Sequence, residues 1–289
     1  MLFLILAAFS SAVLTLVLKL FRDPEGNRFG ILLGNYLTCA LIAFLQMPEK
    51  GGVFAVSAST LVMSFIGGVL FVAGLVMIQT SVDRNGATLT AAFSKLGLII
   101  PLLISFLFFG EVPSLLKLLG LGLTIGAILL INLGSGDKAQ AAAGSEEGRI
   151  SLTVLLLTLL ANGCAESMAK VFSHLGDPRE DARYFFFLFL TAAILTFLLS
   201  AAEKRKSGRR LRIRELAAGI LAGIPNYFCS YFLLKALLEL PATLVYPVFS
   251  VGSILLVTLA GTFFFREHLS RRQLYGLGLI LGALVLLNL

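Results

Sequence analysis

Apolar runs of roughly 18 to 24 residues recur along the whole chain, each long enough to cross a bilayer as a helix. About ten can be marked, starting near Leu2, Gly30, Thr60, Ala87, Leu115, Ile150, Tyr184, Glu215, Thr243 and Gln273. A spanning segment must satisfy its own backbone polar groups, so only helices and closed barrels are available. No run keeps the alternation that barrel strands need. The expected fold class is therefore an all-α membrane protein. Composition agrees: 58% of the 289 residues are hydrophobic and 13% charged, too few charges to cover a soluble domain of this size. The first run lacks a basic leading segment and reads as a span, not a cleaved leader.

The chain also repeats itself. "LISFLFFGEVPSLLKLLGLGLTIGAILLINL" (103–133) aligns without gaps on "LAGTFFFREHLSRRQLYGLGLILGALVLLNL" (259–289), with roughly half the positions alike. Glu111 pairs with Glu267, Ser114 with Ser270, Gly126 with Gly282 and Asn132 with Asn288. Upstream, Phe93-Ser94 pairs with Phe249-Ser250, and Lys19 with Lys170. The expected organisation is a first five-helix repeat at 1–133, a linker at 134–149 and a second five-helix repeat at 150–289. Five spans per half make the second half cross in the opposite sense. That is an inverted-topology repeat, with a shared site expected near the midplane between halves.

The two closing signatures, an aromatic run, Glu, Ser and a Gly-rich last helix, resemble the EamA-like branch of the drug/metabolite transporter superfamily. The resemblance extends over nearly the whole chain. It implies ten helices, a cavity lined by spans 1, 3, 4, 6, 8 and 9, and spans 5 and 10 packed at the ends. Members carry amino acids, other metabolites, sugar phosphates and drugs, so the resemblance implies a mode of action more than a substrate. Arg266 stands where the first half has Gly110.

Charged residues inside the spans bear most on function, because intramembrane ionisable groups are costly. Lys95 and Glu166 lie well inside the fourth and sixth runs. Both runs enter from one face, and at 1.5 Å rise per residue the two lie roughly 14 Å and 20 Å from it. They read either as a structural pair or as groups that meet substrate or protons in a wet cavity. A carboxylate at this depth could take a proton on one side and release it on the other. Asn162 stands four residues before Glu166, on the same helical face. Ser94, Asn226, Tyr227, Tyr231, Tyr246 and Ser250 complete the candidate substrate and coupling residues; the tyrosines also suit interfacial anchoring. Pro101, Pro225 and Pro247 interrupt spans and free backbone carbonyls. Glu111 and Glu267 at span ends read as caps or interfacial ion pairs. Lys19, Lys170 and Lys235 read as lysines reaching for an interface, and Asp83-Arg84 as a tight solvated turn.

The first span has no carboxylate, unlike that of small multidrug exporters, whereas its counterpart has Glu166. A lysine beside a carboxylate suits an amino-acid-like zwitterion or an organic anion. The leading expectation is a secondary active transporter of a small polar or amphipathic metabolite, with a lipophilic-cation exporter, a channel or a structural scaffold as alternatives. No HExxH, Ser/His or paired-Asp motif suggests an enzyme. No GxxxxGK[ST] loop suggests ATP as direct drive, leaving H+ or Na+ or exchange. No cofactor is expected: Cys39, Cys164 and Cys229 form no metal-binding pattern and read as packing residues.

The expected setting is a bacterial cytoplasmic membrane, as monomer or homodimer, with lipids as partners and no nucleic acid despite the net charge of +7. On the face of the termini lie Lys50, Lys117, Arg179 and Arg183. The other face carries Arg22, Arg28, Arg84, Lys138, Arg149, Arg266, Arg271, Arg272 and the basic stretch "AEKRKSGRRLRIRE" (202–215), a roughly fourfold bias. Loop charge therefore predicts outward termini, against the family norm of cytoplasmic ones.

Overall fold

A computed structural model of the chain describes residues 1–21, 27, 29–47, 52–133, 151–209, 211–265 and 271–288. The 134–149 linker and Glu267 lie outside the described residues. Among the described residues ten α-helical elements follow in order: α1 (Leu2–Leu20), α2 (Gly30–Leu45), α3 (Ala58–Leu96), α4 (Ile99–Phe109), α5 (Leu115–Leu133), α6 (Leu152–Leu175), α7 (Asp181–Ser207), α8 (Ile213–Glu239), α9 (Ala242–Phe265) and α10 (Arg271–Asn288). A 3-10 turn, Pro178–Glu180, precedes α7. No strand occurs among the described residues.

Among the described residues six stretches are long and apolar enough to cross a membrane: Ala58–Gly86, Thr90–Phe109, Leu152–Leu175, Pro178–Ser207, Ile213–Glu239 and Ala242–Phe263. Four shorter apolar helices accompany them. The chain is an all-helical integral membrane protein.

Local chemistry sets the helix ends. Gly110 stops α4 in the left-handed region at φ 67°, and Gly208 stops α7 at φ 71°, a conformation that costs glycine nothing. The Asp177 carboxylate accepts the Arg179 N–H at 2.9 Å and caps the Pro178–Glu180 turn, with proline at its first position. The break between the third and fourth spans falls at Gly86, with φ 80° and ψ 162°. Asp83 and Arg84 are exposed but helical, not in the tight turn expected for them. The one glycine takes up the whole change of direction, so the residues before it keep helical geometry.

The described chain falls into two compact units, each built from both sequence halves. One comprises Met1–Val72 and Val171–Leu238; the other comprises Ala73–Lys170 and Glu239–Leu289. The first unit is held by glycine faces and stacked rings. A Cβ on Gly219 would lie 2.3 Å from the Ile31 carbonyl oxygen, and one on Gly34 would lie 2.6 Å from that of Leu216. Gly30 and Gly34 on α2, like Gly219 and Gly223 on α8, are spaced by four, the small-residue spacing that lets membrane helices touch backbone to backbone. Phe172 stacks on Tyr184 with centroids 4.1 Å apart. The second unit has an apolar core of Ala127, Val251 and Ile280, where α5, α9 and α10 meet.

Candidate functional site

In the second unit the fourth span is interrupted twice. Beyond Gly86, the helix lapses again between Leu96 and Ile99. There the Gly97, Leu98 and Ile100 N–H groups reach back only three residues, to the carbonyls of Ser94, Lys95 and Gly97. The cause is local. Pro101 has no N–H to offer the Gly97 carbonyl, and Gly97 lies against α6. A Cβ on Gly163 would fall 2.5 Å from the Gly97 oxygen. Sequence reading put the interruption at Pro101; its effect appears upstream, as proline disturbs the preceding turn.

Asn162 of α6 repairs the gap. Its amide donates to the Ser94 carbonyl at 3.0 Å and, at 3.4 Å, to the Glu166 carboxylate. Irregular backbone at membrane depth persists only where it is satisfied by protein or lines a wet cavity. Lys95, the last charged residue before the break, acts electrostatically on Glu166, though the two form no ion pair among the described residues. Tyr246 of α9 is fully buried and donates its hydroxyl to the Glu166 backbone carbonyl at 2.9 Å. Ser250, one turn further on, is also buried, and its carbonyl accepts the Ser253 hydroxyl at 2.9 Å. Ser94, Lys95, Asn162, Glu166 and Tyr246 thus converge on one broken helix: a cation, a carboxylate, an amide and loosened carbonyls. The set brings opposite charges, an amide and backbone carbonyls to one place within the unit.

Toward one end of the same unit, Glu111 lies between Phe109 and Leu115, outside the spans. Its carboxylate accepts from Lys170 Nζ at 2.5 Å and from the Ala242 N–H at 2.7 Å, at the start of α9. Burial pushes the carboxyl up, but the hydrogen bond and charge of Lys170 and the Ala242 N–H outweigh it, holding Glu111 below its ordinary value. Lys170 also lies over the Phe109 ring at 5.6 Å. The side chains of Lys19, Asn132 and Asn288 lie outside what the structure describes.

Asn226, Tyr227 and Tyr231 belong to the first unit. Asn226 donates to Asn35 Oδ1 at 2.7 Å. The Cys39 thiol points at the same oxygen, 3.3 Å away, and at the Gly223 carbonyl, 3.2 Å away. The buried Tyr227 donates to Gln46 at 2.9 Å and stacks on Tyr231. Lys235 pairs with Asp181 at 2.7 Å and sits 5.2 Å from the Tyr231 ring centre. Sequence reasoning missed Asn35, Gln46 and Asp181. Asn35 alone carried a signal, an amide inside the apolar run "GILLGNYLTCALIAFL".

Residues 152–289 match the profile of the EamA-like transporter family. An uncharacterized protein of Haemophilus influenzae is 23% identical over 289 residues, covering 97% of this chain and 95% of the relative. A solved crystal structure shares the fold at a TM-score of 0.77 and 14% identity, over 99% of this chain and 94% of that one.

Proposed function

From the premise that this chain is an integral membrane protein whose residues 152–289 belong to the EamA-like transporter family, we propose that it is a secondary active transporter of a small polar or amphipathic metabolite. An amino-acid-like zwitterion or an organic anion fits best. The supporting observation is the fourth span broken at Leu96–Ile99, with Lys95 and Glu166 beside loosened carbonyls. A substrate carboxylate would meet Lys95. A substrate amine, or a coupling proton, would meet Glu166. The two sequence repeats act as inverted halves that give access alternately to each side, driven by H+ or Na+ or by exchange and without a cofactor. Asn226, Tyr227 and Tyr231 are assigned to substrate recognition as a second polar group.

The first test is a thermal-shift screen of the purified protein against amino acids, nucleosides, sugar phosphates and lipophilic cations. Any stabilising compound then enters counterflow in proteoliposomes. Stabilisation by lipophilic cations alone would replace this reading with an exporter of such cations; no response in any class would favour a scaffold.

The protein resides in a bacterial cytoplasmic membrane as monomer or homodimer, with its termini outside and the 202–215 loop in the cytoplasm. The support is loop charge: translocating that stretch would be costly. The check is a single cysteine at Ser207 on a background lacking Cys39, Cys164 and Cys229. Its reaction with a membrane-impermeant maleimide in intact cells would overturn the orientation.

A further inference from the structure

We propose that the last three turns of α7 form a binding site for an anionic phospholipid, with one acyl chain along the helix and the phosphate on Arg205 and Lys206. A cavity of about 470 Å³ is lined there by Leu198, Ala201, Ala202, Arg205 and Lys206. From Leu198, the next three lie three, four and seven residues on, so they share one helical face. The stripe continues upstream through Ile194 and Phe197, which like Leu198 are more than half exposed. Alanines at 201 and 202 leave a trough where larger side chains would fill it. From Ile194 to Arg205 the helix rises about 16 Å, about half of a ~30 Å hydrocarbon core and so the depth of one leaflet.

The charge at the end of the stripe is predominantly positive. Lys204, Arg205 and Lys206 occupy the last turn of α7, and Arg209, Arg212 and Arg214 follow. The carboxylates nearby in sequence are engaged. Glu203 accepts the Ser207 hydroxyl at 3.2 Å, and Glu215 accepts the N–H groups of Asn27 at 2.8 Å and Arg212 at 3.1 Å. A helix C-terminus favours cations on its own account, which explains a basic last turn but not the apolar trough leading into it. A free phosphate would use the cations and leave the trough empty. A lipid with a zwitterionic headgroup would bring its own cation against Arg205 and Lys206. An anionic phospholipid uses both features.

The full chain, purified in detergent, would be titrated with phosphatidylglycerol or phosphatidylcholine. Unfolding would be followed by intrinsic tyrosine fluorescence, and retained lipid by mass spectrometry of the intact protein. Phosphatidylglycerol is expected to raise the midpoint at about tenfold lower concentration than phosphatidylcholine, and to remain bound. Removing two near-surface cations in Arg205→Gln/Lys206→Gln should weaken that response about thirtyfold. Lys204→Gln/Arg214→Gln, which removes the same charge, should keep it. Leu198→Ser should weaken phosphatidylglycerol binding through the trough alone. Equal loss in the two double variants, an equal effect of phosphatidylcholine, or full reproduction of the shift by inorganic phosphate would each overturn the site. If Arg205→Gln/Lys206→Gln does not fold, Leu198→Ser and the retained lipid decide, and an unchanged titration in Leu198→Ser rejects the proposal.

Discussion

Two glycine-lined contacts, one in each unit, have opposite consequences. In the first unit, Gly34 of α2 meets Gly219 and Leu216 of α8, and both helices run unbroken through the contact. The polar groups beside it are neutral and mutually satisfied: Asn35, Asn226 and the Cys39 thiol. In the second unit, Gly97 meets Gly163 just as closely, but the helix carrying Gly97 comes apart. The polar groups there include a lysine and a glutamate. Close backbone approach is thus not itself the mark of a binding site. Nor does a proline suffice: Pro101 withholds an N–H where its helix opens, whereas Pro225, two residues after Gly223, leaves α8 helical throughout.

The largest effect should come from filling the first contact. Gly219→Val puts a methyl-bearing carbon where the Ile31 oxygen is 2.3 Å away, and backbone cannot yield as a side chain can. A loss of about 3 kcal/mol or more is expected, read as absence of a monodisperse peak after solubilisation. A well-folded Gly219→Val protein would dissolve the contrast. Next is Asn162→Ala, which leaves the Ser94 carbonyl without its side-chain donor. Because the Gly97 N–H still reaches that carbonyl, about 0.5–1.5 kcal/mol of stability should be lost, seen as a lower midpoint, together with transport. Retained transport would mean the break does not need sealing.

Lys95→Met should fold near the wild-type midpoint and transport at least about tenfold more slowly, the value of one lost charged contact at about 1.4 kcal/mol; wild-type counterflow would remove Lys95 from the site. Glu166→Gln should flatten the pH dependence of uptake, and an unchanged profile would leave Glu166 a structural role.

The smallest effect concerns Glu111. Because its folded carboxyl is held below the ordinary value, the contact stabilises the protein fully above the unfolded carboxylate value near 4.5. That stabilisation is lost as pH falls through the lower folded value. Glu111→Gln should therefore reduce the fall of the midpoint toward acid. An identical pH slope would show that other carboxylates govern acid unfolding.

The spans and the likeness to the EamA-like family were legible because both rest on features the chain carries locally: apolar length and the repeated run from aromatic residues through Glu and Ser to a Gly-rich helix. Asn162 and Glu166 were legible together, since spacing by four places residues on one helical face. The Asn35–Asn226 bond joins residues 191 apart in sequence, and no local pattern encodes such a pairing. Gln46 and Asp181 stand at helix ends, where a polar residue is ordinary, so nothing set them apart. The break at Leu96–Ile99 was half legible. Pro101 announced it, but which turn would open depended on the glycine-to-glycine approach of α6.

Helices α6 and α9 are tied at two levels. Glu166 and Lys170 stand one turn apart on α6, as do Ala242 and Tyr246 on α9. Tyr246 reaches Glu166 directly, while Glu111 joins Lys170 to Ala242. These are two rungs of a ladder, and a ladder resists shear. Sliding α6 past α9 by one 5.4 Å turn would break both rungs together, whereas swinging about the seam strains them unequally and can spare one. Two such rungs resist sliding more than swinging, like the pins of a door. The lower pin is a carboxylate that acid can withdraw, and the upper is a hydroxyl held on a backbone carbonyl.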